Sequence, residues 1–203
     1  MNITMKKMNS LILIAAFALQ AQASLVDFGT YTNDTSTNLD WLDMTFTHWL
    51  SYNEVNAALS GSLSGWRFAT NVEFDSLINS AVGAPYAAHY YDPAIYSEMK
   101  NLSSLLGSTY YSPTSGYGFT VGYVDSSSLS FADSRQFGYD SYRGFVRPGG
   151  AFEYNWDTPK DSGSPQQGSF LVRSSGPSSV PDLGSTAFLL VVAFLGFTGF
   201  KRR

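Results

Sequence analysis

Apolar and polar positions along the chain fall into three regimes. Residues 11–19 are an unbroken apolar run behind Lys6 and Lys7, and residues 187–200 are a second apolar run, followed by Lys201, Arg202 and Arg203. Between them the apolar positions either alternate over short stretches or recur at helical spacing. Ser51-Tyr52-Asn53-Glu54 has the form of a capping box, and Val55, Ala58 and Leu59 continue it as an apolar stripe. Thr70-Asn71-Val72-Glu73 is a second box, continued by Phe74, Leu77, Ile78 and Ala81. Asp92-Pro93 places a capping carboxylate before a proline at the first helical position, and Ile95, Met99, Leu102 and Leu106 carry a face that ends at Gly107. Segments 25–28, 39–42, 65–68, 117–123, 143–147 and 169–173 are short, aromatic or β-branched, and bounded by Gly, Ser, Asp or Pro, which predicts strands. Residues 157–168, with Pro159, Gly163 and Pro165, read as an exposed loop.

Helices grouped in the middle with strands on both sides predict an α+β fold. The expected body is one mixed domain, mainly of antiparallel strands with about three helices, and not a βαβ alternation. No internal repeat is visible.

The two apolar runs are expected to be addressing segments. Lys6, Lys7, a short apolar core and Ala21-Gln22-Ala23 form the three regions of a Sec signal peptide, with Ala21 and Ala23 as the small residues of the cleavage site. The expected organisation is a signal peptide at 1–23, an extracellular domain at 24–173, a linker at 174–179 and a C-terminal segment at 180–203. From Leu183 to Phe200 the C-terminal stretch has 18 residues, about 27 Å as a helix, near the lower limit for crossing the hydrocarbon core. Lys201, Arg202 and Arg203 would stay in the cytoplasm and leave the body outside, the same topology that Sec export gives.

Charge and composition narrow the body's function. Between Ser24 and Val180 there are 7 Lys/Arg against 15 Asp/Glu, a formal −8, while the other five basic residues lie in the two end segments. So acidic a body disfavours nucleic acid as a partner. The chain has no cysteine, which removes thiolate metal sites and thiol nucleophiles.

Val180, Pro181, Asp182, Gly184, Ser185 and Thr186, followed by the apolar span and the basic end, resemble the tripartite sorting signal of the PEP-CTERM family, most closely its Val-Pro-Asp-x-Gly variant. Asp182 stands where the usual motif has glutamate, and Leu183-Gly184 where it has a second proline. The resemblance implies an exosortase-type protease as a partner, beside the signal peptidase that the N-terminal segment implies. It implies a transient membrane anchor, cleavage near Pro181-Asp182, and delivery to the cell surface or exopolysaccharide matrix of a Gram-negative-type bacterium. Pro181 lacks an N–H and disfavours helix at Val180, which would hold the peptide extended for a protease. Within 37–173, Leu39-Asp40-Trp41-Leu42-Asp43, Gly65-Trp66-Arg67-Phe68-Ala69-Thr70 and Gly168-Ser169-Phe170-Leu171-Val172-Arg173 are similar to a module recurring in such proteins and at the C-terminus of collagen-like adhesins. That resemblance implies a surface or adhesion module, with a C-type-lectin-like fold among those it admits, and transfers no catalytic residues.

No catalytic, cofactor or metal residues are assigned. Gly61-Ser62-Leu63-Ser64-Gly65 has leucine where a nucleophile elbow needs serine, and the glycines from 116 to 122 miss the dinucleotide fingerprint and precede no helix start. His48 and His89 lack partner motifs, so a structural or exposed role is the expectation for both. Asp34, Asn38 and Asp40 could surround calcium but lack the glycine and terminal glutamate of a recognised loop. All 13 tyrosines lie between Tyr31 and Tyr154. Stacking on sugars and filling a β-rich core use the same side-chain physics and stay equally open. The expected function is a non-enzymatic surface or matrix protein with a glycan or exopolysaccharide as partner. The rival is a secreted carbohydrate-active hydrolase using two acidic residues, and a third reading is passive structural cargo.

Overall fold

In the computed structural model, residues 25–83, 92–147 and 158–176 are described. The chain opens with three antiparallel strands, β1 (Leu25–Asp27), β2 (Tyr31–Asp34) and β3 (Leu39–Leu42), then a 3-10 turn at Met44–Phe46 and helix α1 (Tyr52–Ala58). The short strand β4 (Arg67–Phe68) leads into α2 (Asn71–Val82); a 3-10 turn at Pro93–Ile95 leads into α3 (Tyr96–Leu106). Next come β5 (Tyr110–Ser112), β6 (Tyr117–Tyr123), β7 (Phe131–Ala132), β8 (Ser134–Tyr139), β9 (Gly144–Arg147), β10 (Thr158–Pro159), β11 (Gly168–Ser169) and β12 (Leu171–Ser174). The fold is α+β, with three α-helices among the described residues and strands that pair antiparallel apart from β11 with β6.

Both capping boxes form in full. Ser51 Oγ accepts from the Glu54 amide while the Glu54 carboxylate accepts from the Ser51 amide, and Thr70 with Glu73 repeats the arrangement at α2. Gly83 ends α2 at φ 71°, a left-handed conformation that glycine adopts without strain. At Asp92-Pro93 the outcome differs from expectation. The Asp92 carboxylate accepts from the Ala94 amide, but what it caps is the 3-10 turn, and α3 proper begins only at Tyr96. Gly107 ends α3, as expected, at φ 85°.

One sheet runs β1-β2-β3-β12-β4, the other β11-β6-β8-β9 with β5 also on β6, and β7 pairs with β10. The predicted strand at 169–173 is two strands. Gly168 and Ser169 pair parallel with β6, and Leu171 onward pairs antiparallel with β3 and β4. Phe170 sits at the crossing, its amide donating to the Tyr123 carbonyl and its own carbonyl accepting from the Ala69 amide, so no backbone group is lost at the switch. Its ring lies 5.0 Å from Phe74, 6.2 Å from Phe137 and 6.5 Å from Trp41 between centroids, joining both sheets and α2.

Two apolar clusters sandwich the first sheet. Leu39, Trp41 and Val172 face α2, α3 and the second sheet, with Phe74, Leu77, Met99, Leu102 and Phe137 around them. Leu42, Phe68 and Leu171 face the other way, under Tyr52 and Val55 of α1 and Leu63. Strand alternation puts adjacent residues on opposite faces, and this sheet follows it throughout β3 and β12. The predicted loop at 157–168 contains β10, and although most of its described residues are exposed, Gln167 is buried. At the other end the pairing runs past Arg173: Ser174 closes β12 and the Ser175 amide donates to the Asn38 carbonyl.

Candidate functional site

The second face of the first sheet is only half covered. Beyond the reach of α1 it presents Tyr31, Asn33, Asp40 and Arg173, which share that face by register. Arg173 lies against two rings that also meet each other edge-on, Tyr31 and Trp66 with centroids 6.4 Å apart; its guanidinium carbon is 4.4 Å from the Trp66 centroid and 4.9 Å from that of Tyr31. Tyr31 in turn stacks on Phe28, centroids 4.9 Å apart and planes within 9°. The result is a ladder, Phe28–Tyr31–Arg173–Trp66, built from the β1–β2 turn, β2, β12 and the residue before β4.

Asp40 holds the cation in place. Its Oδ2 accepts from Arg173 Nε at 3.0 Å, while Oδ1 accepts from Asn33 Nδ2 at 2.9 Å and Ser175 Oγ at 3.1 Å. Asp40 is 8% exposed and Arg173 39%. Anchoring at Nε leaves the Nη edge of the guanidinium without an acceptor among the described residues, and a guanidinium offers five donors in a fixed fork. Phe28 is 49% exposed at the free end. Chemically the ladder offers a half-exposed ring and a fixed row of N–H donors, the combination that fits a ring with an apolar face and hydroxylated edges.

A second exposed aromatic stands apart from the ladder. Trp49 is 66% exposed and holds φ at 70°, an uncommon conformation for a bulky residue. A Cβ on Gly163 would lie 2.3 Å from the Trp49 carbonyl oxygen, so close approach of that loop is what requires glycine there. Next to it, His48 has its Nε2 buried without a partner among the described residues. Burial lowers its pKa, and the Asp43 charge opposes this in part.

Six of the acidic residues are taken up by structural partners. Glu73 pairs with Arg67, Asp140 with Arg143 and Asp40 with Arg173, while Asp43, Asp92 and Glu54 cap helical turns. The calcium candidates do not converge. Cross-strand register puts Asp34 opposite Leu39 and Asp40 opposite Asn33, hence on opposite faces, and the Asp34 carboxylate accepts from Ser36 and Ser80. Among the described residues no group of three or more His, Asp or Glu is placed to hold a metal. The glycine-rich stretch at 116–122 is strand β6 and the turn before it: a Cβ on Gly118 would lie 2.7 Å from the Tyr139 ring, and one on Gly122 would lie 2.6 Å from Met44 Cε. Gly61 and Gly65 bracket the turns after α1, not a nucleophile.

His89, Ala21 and Ala23, the sorting residues from Val180 to Thr186, and Lys201, Arg202 and Arg203 lie outside the described residues. Among the described residues no helix is long and apolar enough to cross a membrane. The ladder was not singled out from the sequence. Trp66 and Arg173 stood in two motifs far apart along the chain, and only the pairing of β12 with β3 and β4 brings them together.

No curated protein and no solved structure matches the chain, so the likeness of 37–173 to adhesin modules, with its lectin-like implication, rests on those short motifs alone. A family model described as the VPDSG-CTERM motif matches residues 179–203. The matched segment is a PEP-CTERM-type sorting signal, which marks the chain for export, transient anchoring in the membrane and processing by an exosortase.

Proposed function

We propose that the exported domain is a non-enzymatic binding module of the cell surface or extracellular matrix, and that its ligand is a glycan engaged by the Phe28–Tyr31–Arg173–Trp66 ladder. The observation that carries the reading is the guanidinium held at Nε by Asp40 and packed against two rings, with no acceptor for its Nη edge among the described residues. The exposed ring of Phe28 supplies an apolar surface for the C–H face of a sugar, and the Nη donors reach its hydroxyls. In this reading a signal peptidase cuts after Ala23. An exosortase then cuts near Pro181-Asp182, with Lys201, Arg202 and Arg203 as the cytoplasmic stop and the span before them as the temporary anchor.

The test is a glycan array that includes bacterial exopolysaccharides, with reducing-sugar release measured on every retained glycan. Binding without turnover, weakened about tenfold or more in both Arg173→Ala and Phe28→Ala, is the expected result, since each removes a central contact. An empty array, or binding indifferent to both changes, overturns it. Turnover lost in a single Asp→Asn variant would establish a hydrolase instead.

A further inference from the structure

A cleft of about 230 Å3 has Leu25 of β1, Ser80 of α2, and Ser97, Glu98, Asn101 and Leu105 of α3 on its wall. Among the described residues Glu98 is the one charged side chain on that wall, and its Oε2 is buried with no hydrogen-bond partner. A carboxylate can only accept, so leaving one of its oxygens dry and unpaired is costly. The Ser80 hydroxyl on the facing helix is engaged: its Oγ donates to Asp34 Oδ2 at 2.9 Å and lies 3.0 Å from the Ser76 carbonyl. The Glu98 oxygen is thus an acceptor without a donor among the described residues, and a compact cation would suit it.

Leu25 stands one residue along the chain from one such cation. Leu25 is the first residue of β1, is held in register opposite Asp34, and forms part of the same wall as Glu98. Cleavage after Ala23 turns the backbone nitrogen of Ser24, three bonds from that of Leu25, from a neutral amide with one donor into an ammonium with three. We propose that the α-ammonium of Ser24, created when the signal peptide is removed, seats in this cleft on the Glu98 carboxylate, with Ser97 and Asn101 as further acceptors. Removal of the leader then adds an ion pair that ties β1, the edge strand of its sheet, to α3. The inference rests on the export reading through the position of the cut.

Two measurements separate the proposal from that reading. Intact mass of the protein recovered from cells gives the N-terminus, and any start other than Ser24 overturns the proposal, since the charge would lie elsewhere. With the start at Ser24, labelling of the α-amine by an amine-reactive ester at fixed pH is compared between the wild type and Glu98→Gln, which keeps the shape. Labelling of the wild type should be slower by about two- to fivefold, the range of a part-exposed ion pair. A version with two glycines ahead of Ser24 moves the charge out of the cleft and should label at the same rate with and without the Glu98→Gln change. Equal labelling of the two Ser24 forms overturns the docking and leaves export untouched.

Discussion

The two faces of the five-stranded sheet solve the same problem by different means. On one, Leu39, Trp41 and Val172 lie under two helices and a second sheet, and burial of apolar area suffices. On the other, α1 is only seven residues long and covers Leu42, Phe68 and Leu171 but no more. The uncovered remainder is closed by an arginine packed on two rings and a carboxylate with three donors. Apolar burial tolerates no opening, whereas a cation–π ladder can keep one side wet. That is why the half-covered face, and not the covered one, can both hold the sheet and meet a ligand.

The comparison breaks most sharply at Phe170. Phe170→Ala removes a ring that is 1% exposed and touches Trp41, Phe74 and Phe137, and should cost about 3–5 kcal/mol in urea unfolding. Phe28→Ala, on the open end of the ladder, should cost less than about 1 kcal/mol, as expected for a half-exposed side chain. Similar losses at the two positions would mean that the faces do not differ in the way described.

Next in size is Gly138→Ala in β8. Its Cβ would lie 2.4 Å from the Gly118 carbonyl oxygen and 2.8 Å from Phe119 Cα, both backbone atoms that cannot swing aside. A loss of about 1–3 kcal/mol in the same assay is expected for overpacking of this kind. A neutral change would show that the β6–β8 pair has room to spread.

On the ladder itself, Arg173→Met keeps the apolar stem and removes the charge. Asp40, 8% exposed, then keeps only Asn33 and Ser175 as donors, and about 1–2 kcal/mol should be lost. Adding Asp40→Asn should return part of that loss, because the remaining group is no longer an unpaired buried charge. If the double variant is as unstable as the sum of the singles, Asp40 and Arg173 are not the coupled pair that shapes this face.

What was legible in the sequence was local. The capping boxes at Ser51 and Thr70 close within four residues, so spacing and side-chain chemistry define them without any knowledge of the fold. Strands β3 and β6 were legible from their aromatic and β-branched residues, with the same bounds that the structure has. Strand β2 was not, because its polarity is inverted: Thr32 and Asp34 are fully buried, while Tyr31 and Asn33 face outward. Thr32 Oγ1 donates to the Leu105 carbonyl and Asp34 is satisfied by Ser36 and Ser80, partners no local pattern could announce. The polar opening of β8, Ser134-Arg135-Gln136, hid a strand for the same reason. The ladder joins positions from Phe28 to Arg173, so its legibility waited on the strand order. Trp66 and Arg173 could be noticed as motif residues, but not as neighbours.

The smallest effect compares the two capping boxes, which share a geometry and differ in one neighbour. Glu73 receives Arg67 on both oxygens, Nη1 at 2.9 Å and Nη2 at 2.5 Å, besides the Thr70 amide and hydroxyl. The guanidinium first, and the Thr70 donors after it, hold the Glu73 pKa down at about 2, against an ordinary 4.5. Glu54 has only the Ser51 amide and hydroxyl, which lower its pKa too. A carboxylate whose folded pKa is depressed gives its full stabilisation above the unfolded value and loses it as pH falls through the folded one. The Glu73 contribution should therefore be intact above pH 4.5 and drain away between there and pH 2. Urea unfolding at pH 6 and pH 3 should show the wild type losing more stability than Glu73→Gln, by under about 1 kcal/mol for a pair this exposed. Adding Arg67→Met to the wild type should shrink that excess toward the loss measured through Glu54→Gln. If the Arg67 variant keeps the full pH dependence, the helix N-terminus and not the arginine sets the Glu73 charge, and the two boxes are equivalent after all.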